Sequence, residues 1–249
     1  MMSNPCLICN SETRLFLSKT KFLNEYQEMV HGINKFEYYK CTSCGFTISE
    51  THVGLNSQRW EMLNSDFHHF IENEKAPINQ PPYIDQALLL HILNLNNIID
   101  LKNALDFAGG YGTLSTISKQ YFGYNIPVFD PYVKNTENRD VAYVDINNKT
   151  YSTVINSALF EHITERSVFD NINSLVEPEG GCMVIHTVIC ENIPADENWF
   201  YFEPPVHCAF HTNKSMEVLM NQWGYQASLY CPQAKHGFFS KRQNHQLKS

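Results

Sequence analysis

Apolar and polar positions along this chain repeat with two different periods. From Ser57 to Glu74, Trp60, Leu63, Phe67, Phe70 and Ile71 fall at helical spacing, and Tyr83 to Leu95 reads as a second helix beyond the breaks at Pro77, Pro81 and Pro82. Farther on, short apolar runs alternate with helical stretches. NALDFA reads as a strand, TLSTISKQYF as a helix, IPVFD, VAYVD and YSTVINSAL as strands, SVFDNINSLVE as a helix, CMVIHTVI as a strand and KSMEVLMNQWG as a helix. YQASLY and HGFFSKR close the series as an antiparallel pair at one edge. Such alternation predicts an α/β fold: a doubly wound, mostly parallel sheet of seven strands covered on both faces. Upstream, FLNEYQEMV and KFEYYKC read as strands of a smaller module. The expected division is a module over 1–54 and a main domain over 55–249.

Composition narrows the partners. Of 249 residues, 43% are hydrophobic and 18% charged, which fits a folded chain with a sizeable core. The formal net charge is −8 and no dense Lys/Arg run offers a phosphate stripe, which speaks against nucleic acid. The start, MMSNPCLICN, has no basic segment followed by an apolar core, and no run approaches the length of a membrane span. A cytoplasmic enzyme acting on a small molecule is the expectation, with the oligomeric state open.

Cysteine spacing adds a metal. Cys6-x2-Cys9 and Cys41-x2-Cys44, the second followed by Gly45, are two knuckles that bring four thiolates to one tetrahedral Zn²⁺. Disulfides and a redox dithiol are the rival readings; the first needs an export signal and the second only one pair. Zinc would give so short a module its cohesion. Cys182, Cys190, Cys208 and Cys231 stand singly among apolar or aromatic neighbours and read as inert thiols.

The glycines of LDFAGGYGTLS carry the main chemistry. They let the chain turn tightly at the carboxyl end of a strand and let a ligand approach a helix N-terminus. The stretch resembles the first motif of class I S-adenosylmethionine-dependent methyltransferases. Asp106 matches the motif acid, Gly110 and Gly112 match two of its glycines, Gly109 lies between, and Ala108 stands where the first glycine usually lies. Alanine tolerates ordinary φ values, so the departure is modest. In IPVFDPY, Asp130, followed by Pro131, falls where the family binds both ribose hydroxyls, and Asp145 of AYVDIN where it often meets the adenine amino group. VINSALFEHI resembles the segment after the fourth strand, with Ser157, Leu159, Glu161 and His162 at the mouth of the site; PEGGCMVIHT resembles the turn into the fifth. The resemblance covers roughly residues 85 to 240 and implies S-adenosylmethionine as cofactor beside the structural Zn²⁺.

It implies methyl transfer to a small acceptor. Methyltransferases acting on nucleotide sugars can carry a similar zinc module, which points to O- or C-methylation of a sugar, nucleotide sugar or secondary metabolite. A hydroxyl acceptor needs a base within hydrogen-bond reach. The segment ENWFYFEPPVHCAFHTNKS, expected as a loop lining the acceptor pocket, offers His207 first, then His211, with Glu203 as orienting partner; His162 reads as packing around the cofactor. His68 and His69 read as solvated imidazoles and His186 as a core residue. Two rivals stay open: an inactive methyltransferase-like module whose zinc ribbon holds a protein partner, and a nicotinamide-dependent oxidoreductase on a similar sheet.

Overall fold

The computed structural model describes residues 4–73, 82–133, 141–147, 149–231 and 236–241. Glu74, Pro77, Pro81 and the Arg242 end of HGFFSKR lie outside them. In chain order the elements are β1 (Thr13–Lys19), α1 (Asn24–Gln27), β2 (Phe36–Cys41), β3 (Thr47–Ser49), α2 (Glu50–Val53), α3 (Ser57–Asn73), α4 (Tyr83–Leu95), β4 (Ala104–Phe107), α5 (Thr113–Phe122) and β5 (Val128–Phe129). There follow β6 (Thr153–Ser157), α6 (Arg166–Ser174), β7 (Cys182–His186), β8 (Ile189–Cys190), β9 (Ala209–Thr212), α7 (Asn213–Gln222), β10 (Tyr225–Cys231) and β11 (His236–Lys241).

The chain divides into two compact units. One draws its described residues from Met1–Ile78, Glu161–Val168 and Val188–Leu219. Its sheet runs β1-β2-β3-β9-β8, antiparallel except between β8 and β9. FLNEYQEMV, expected as a strand, instead contains α1. The chain turns there because the Gln27 side chain accepts the Phe22 N–H and Glu203 accepts the Leu23 N–H. TRLFLSK supplies the missing strand, β1. The aromatic segment expected as a loop adds β9, whose Ala209 pairs with Ile48 of β3. Phe22, Phe36, Tyr38, Phe202 and Phe210 fill the core beneath, the Tyr38 ring lying 4.8 Å from that of Phe202.

The other unit takes its described residues from Asn79–Phe160, Phe169–Thr187 and Met220–Ser249. Its sheet has the order β10-β11-β7-β6-β4-β5. The strands from β7 to β5 are parallel, and β11 and β10 form the antiparallel edge pair. The expected sheet of seven mostly parallel strands is thus corrected to a mixed sheet of six among the described residues. VAYVD shrinks to one parallel bridge, Val128 to Tyr143, because β5 is only two residues long and offers a single pairing position on its outer edge. CMVIHTVI also divides: β7 ends at His186, and Ile189 and Cys190 pair with β9. On one face of this sheet Ala87, Leu90 and Leu93 of α4 and Leu114 of α5 bury Ala104, Ile155 and Val184. That packing fixes the carboxyl ends of β4, β5, β6 and β7 as one rim.

Candidate active site

At that rim β4 ends and the chain enters α5 through Ala108 to Gly112. Asp106, 1% exposed, points its carboxylate under the turn, where Oδ2 accepts the Ser115 hydroxyl at 3.0 Å. A Cβ on Gly109 would sit 2.7 Å from that carboxylate, so the backbone crosses it only as glycine. Gly112, the N-cap of α5, takes φ 73°. Ala108 takes φ 56°, so the expectation of an ordinary alanine φ there is corrected. Its N–H donates to the Phe129 carbonyl at 2.7 Å, continuing the ladder between β4 and β5, and this bond imposes the turn. A left-handed alanine costs roughly 1–2 kcal/mol. Ala158 repeats the device after β6, with φ 56° and its N–H on the His186 carbonyl at 3.0 Å. Strain of this kind clusters at functional surfaces, and its presence at two neighbouring strand ends makes the rim the candidate site.

Asp130 braces the turn from β5. Its Oδ2 accepts the Gly110 N–H and its Oδ1 the N–H groups of Tyr132 and Val133, each at 2.9 Å, around the bend at Pro131. The Tyr143 hydroxyl donates to the Gly110 carbonyl at 2.8 Å. Asp145 lies just past that bridge, exposed and in irregular chain. Ser157, at the end of β6, donates to the Gln86 side-chain oxygen at 2.9 Å. Gln86 and Ser115 come from helices and Tyr143 from the shortened strand. The sequence reading missed all three; only the helical phase of Gln86 toward the sheet could have signalled its burial.

Strand alternation puts Asp106 and Ser157 on the same face of the sheet, since Asp106 pairs with Ile155, two residues before Ser157. On that face Asp106 Oδ1 and the Gln86 side-chain nitrogen are buried with no partner among the described residues. A buried donor and a buried acceptor without partners are costly unless a ligand meets them. An amino-acid zwitterion presents the matching groups, an ammonium for the carboxylate and a carboxylate for the amide N–H. The methionine end of S-adenosylmethionine fits this donor set. Burial, opposed by the Ser115 hydrogen bond and aided by the Asp130 charge, raises Asp106 to about 7.

The other unit holds two further clusters. In the first, Cys6, Cys9, Cys41 and Cys44 bring their sulfurs within 4.8 Å of one another. Cys6 lies 3.6 Å from Cys44, and Cys9 lies 3.4 Å from Cys41. Four sulfurs on a tetrahedral zinc stand about 3.8 Å apart, given Zn–S bonds of about 2.3 Å. Backbone N–H groups of Ile8, Ser43 and Cys44 point at Cys6 and Cys41 sulfurs, each at 3.4 Å, as knuckles require. The Cys44 thiol bonded to Cys6 pulls the latter down toward the thiolate form that a metal takes.

The second gathers Glu161, His162 and His207, whose ligating atoms also lie within 4.8 Å. His207 is 8% exposed, and its Nδ1 meets the Tyr201 carbonyl at 2.9 Å. Burial pushes His207 down to about 3, and burial together with His207, His68 and His52 holds His162 well below the ordinary histidine value. Both rings are therefore neutral. Glu203 does not reach His207: its carboxylate takes the Lys19 ammonium at 3.0 Å and the Leu23 N–H. His211 is fully buried in β9, its ring 5.0 Å from Phe46. Of the three residues expected around an acceptor proton, the structure places His207 in this cluster, together with His162, expected as packing around the cofactor, and Glu161.

A family model described as a methyltransferase domain matches residues 66–228. No curated protein matches the sequence. Among solved structures, the chain is similar to a 1,6-didemethyltoxoflavin-N1-methyltransferase from Burkholderia thailandensis bound to 1,6-didemethyltoxoflavin and S-adenosylhomocysteine. The TM-score is 0.50 at 13% identity, over 81% of this chain and 98% of that one. An O-methyltransferase family protein from the same species has a TM-score of 0.46 at 13% identity, covering 78% of this chain. Magnesium protoporphyrin IX methyltransferase from Synechocystis has 0.41 at 12%, over 76% of this chain and 89% of that one. The chain spans 62% of the length of the O-methyltransferase family protein and 59% of that of PigF, another similar structure.

Proposed function

The chain belongs to the methyltransferase family, and from that premise we propose that it moves the methyl group of S-adenosylmethionine to a small-molecule acceptor. The observation that carries this reading is the rim of β4 and β6, where Asp106 Oδ1 and the Gln86 nitrogen are buried without partners on one face beside a glycine turn. When bound, the cofactor supplies an activated methyl on a sulfonium. The chain's own part is to hold and align it. Asp106 takes the ammonium, and Gln86, oriented by Ser157, takes the carboxylate. The turn from Ala108 to Gly112, braced by Asp130 and Tyr143, keeps bulk away from the adenosyl group. Asp130 accepts three backbone N–H bonds and so retains about one of its four lone-pair directions for a ribose hydroxyl. Asp145 is the proposed adenine contact, on its position after the bridge at Tyr143.

Alignment of this kind contributes on the order of 7–11 kcal/mol to a two-body reaction. A base is needed only for an acceptor that loses a proton. His207 and His162 are the proposed groups, with His211 and Glu203 turned to packing and to the Lys19 ion pair. A free imidazole held at about 3 is a weak proton acceptor at neutral pH. The acceptor class we propose is a sugar, nucleotide sugar or secondary metabolite methylated on oxygen or carbon, and the net charge of −8 supports a small molecule over nucleic acid. The Cys6, Cys9, Cys41 and Cys44 cluster is proposed as a structural Zn²⁺ site on its near-tetrahedral sulfur spacing. Calorimetric titration tests the reading: S-adenosylmethionine and S-adenosylhomocysteine bind, NAD does not, and Gln86→Leu weakens both by at least about tenfold, the loss of one hydrogen bond to a charged group. Binding of NAD alone would overturn it.

A further inference from the structure

Glu161, His162 and His207 form a set of donors that proton transfer alone does not explain. We propose that these three side chains bind a single divalent transition-metal ion of the zinc type, separate from the four-cysteine site, with at least one coordination position left open. Two imidazoles and a carboxylate are the donor set of open zinc and non-haem metal sites, in which three protein ligands leave room for water or substrate. Zinc holds such ligands at about 2.0–2.2 Å, so their atoms stand ~3.4 Å apart when tetrahedral. The present spread of up to 4.8 Å closes with side-chain shifts of about an ångström.

The surroundings are built for ligation. His207 gives its Nδ1 to the Tyr201 carbonyl at 2.9 Å, which fixes the tautomer and leaves the Nε2 lone pair to the cluster. His162 is hydrogen-bonded to the Val206 carbonyl, and its Nδ1 is buried with no partner among the described residues. One ring nitrogen of each histidine is thus anchored on the same stretch of backbone while the other is directed elsewhere. The backbone itself is pinned: the N–H of Cys208 donates to the Glu161 carbonyl at 2.8 Å, and that of His207 to Pro204 at 3.0 Å. Beside them His52 bridges the Ser49 hydroxyl and the Pro205 carbonyl, at 2.6 and 2.8 Å, stiffening the same Pro204 to Val206 segment. The anionic member of the set, Glu161, is 2% exposed, so all three donors come from side chains held within the protein. A metal bound here takes the lone pairs that the two imidazoles would otherwise offer as bases, but it does not depend on cofactor binding and survives the failure of that reading.

Cobalt(II) titrated into the metal-free full chain tests it, because thiolate ligands give an intense near-ultraviolet charge-transfer band that imidazole and carboxylate ligands lack. The expected result is a cobalt equivalent that adds visible d–d absorption without that band. His207→Asn and His162→Asn each abolish this equivalent while leaving any thiolate band and the near-ultraviolet circular dichroism unchanged. The proposal is overturned if the parent chain shows no thiolate-free equivalent, or if such an equivalent persists in both variants. Should either substitution unfold the chain, the parent titration alone decides.

Discussion

The backbone at Ala108 and Gly109 is set by two neighbours, the Phe129 carbonyl and the Asp106 carboxylate. Gly109→Ala drives a methyl to 2.7 Å from that carboxylate and is expected to cost about 1–3 kcal/mol in urea unfolding, the range for overpacking. Ala108→Gly relieves the left-handed alanine and should leave stability within about 1 kcal/mol of the parent, since glycine also loses more chain entropy. Asp106 links the site to pH. Its carboxyl is raised to about 7 in the folded chain against 3.8 as its ordinary value, so between those values the native state holds a proton that the unfolded chain releases. Its contribution to stability is present below about pH 4 and is lost as pH rises through about 7. A bound cation favours the carboxylate, so cofactor binding near pH 6 should release a proton, seen as a buffer-dependent calorimetric enthalpy. Asp106→Asn should erase that dependence; if it persists, Asp106 is not the titrating group. The acid and the glycines were legible as a motif. The left-handed φ of Ala108 was not, because a neighbouring strand's carbonyl imposes it.

Among the elements, helices with a clear apolar stripe were legible: α4 and α5 span the residues that periodicity gave them. The errors fell where tertiary partners decide. FLNEYQEMV turns into α1 because Gln27 and Glu203 accept its backbone N–H groups, and VAYVD has too short a neighbour to become a strand. The aromatic segment gains β9 because the edge of β3 needs a partner, which no local pattern records. Lys19 ties that segment to β1. Its ammonium, 1% exposed, bonds Glu203 at 3.0 Å and the Glu197 carbonyl at 2.7 Å. Glu203→Ala leaves this charge buried and should cost about 3–5 kcal/mol in chemical denaturation, whereas the paired change Lys19→Met with Glu203→Leu should cost far less. Equal losses for the two would mean that packing rather than charge holds the segment.

At the scale of the whole molecule, each unit is assembled from separated stretches of sequence. Two observations join the cysteine knuckles to the segment around Thr212: its hydroxyl donates to the Cys44 carbonyl at 2.6 Å, and a Cβ on Gly45 would lie 3.1 Å from its methyl. Removing the proposed zinc with a chelator should therefore speed amide hydrogen exchange over 188–219 as well as over 4–50, while β4, β6 and β7 keep their protection. Loss confined to the first fifty residues would show that the two stretches hold independently. Little in the residue pattern signals this interleaving, since a sheet that borrows a strand from far along the chain leaves no period behind it.

That borrowing bears on how the protein is made. Ile48 meets Ala209 across an interval of roughly 160 residues, so a nascent chain carries the edge of β3 without this partner until residue 209 has been made. An edge left open for that long is the kind of surface on which chains associate before they finish folding.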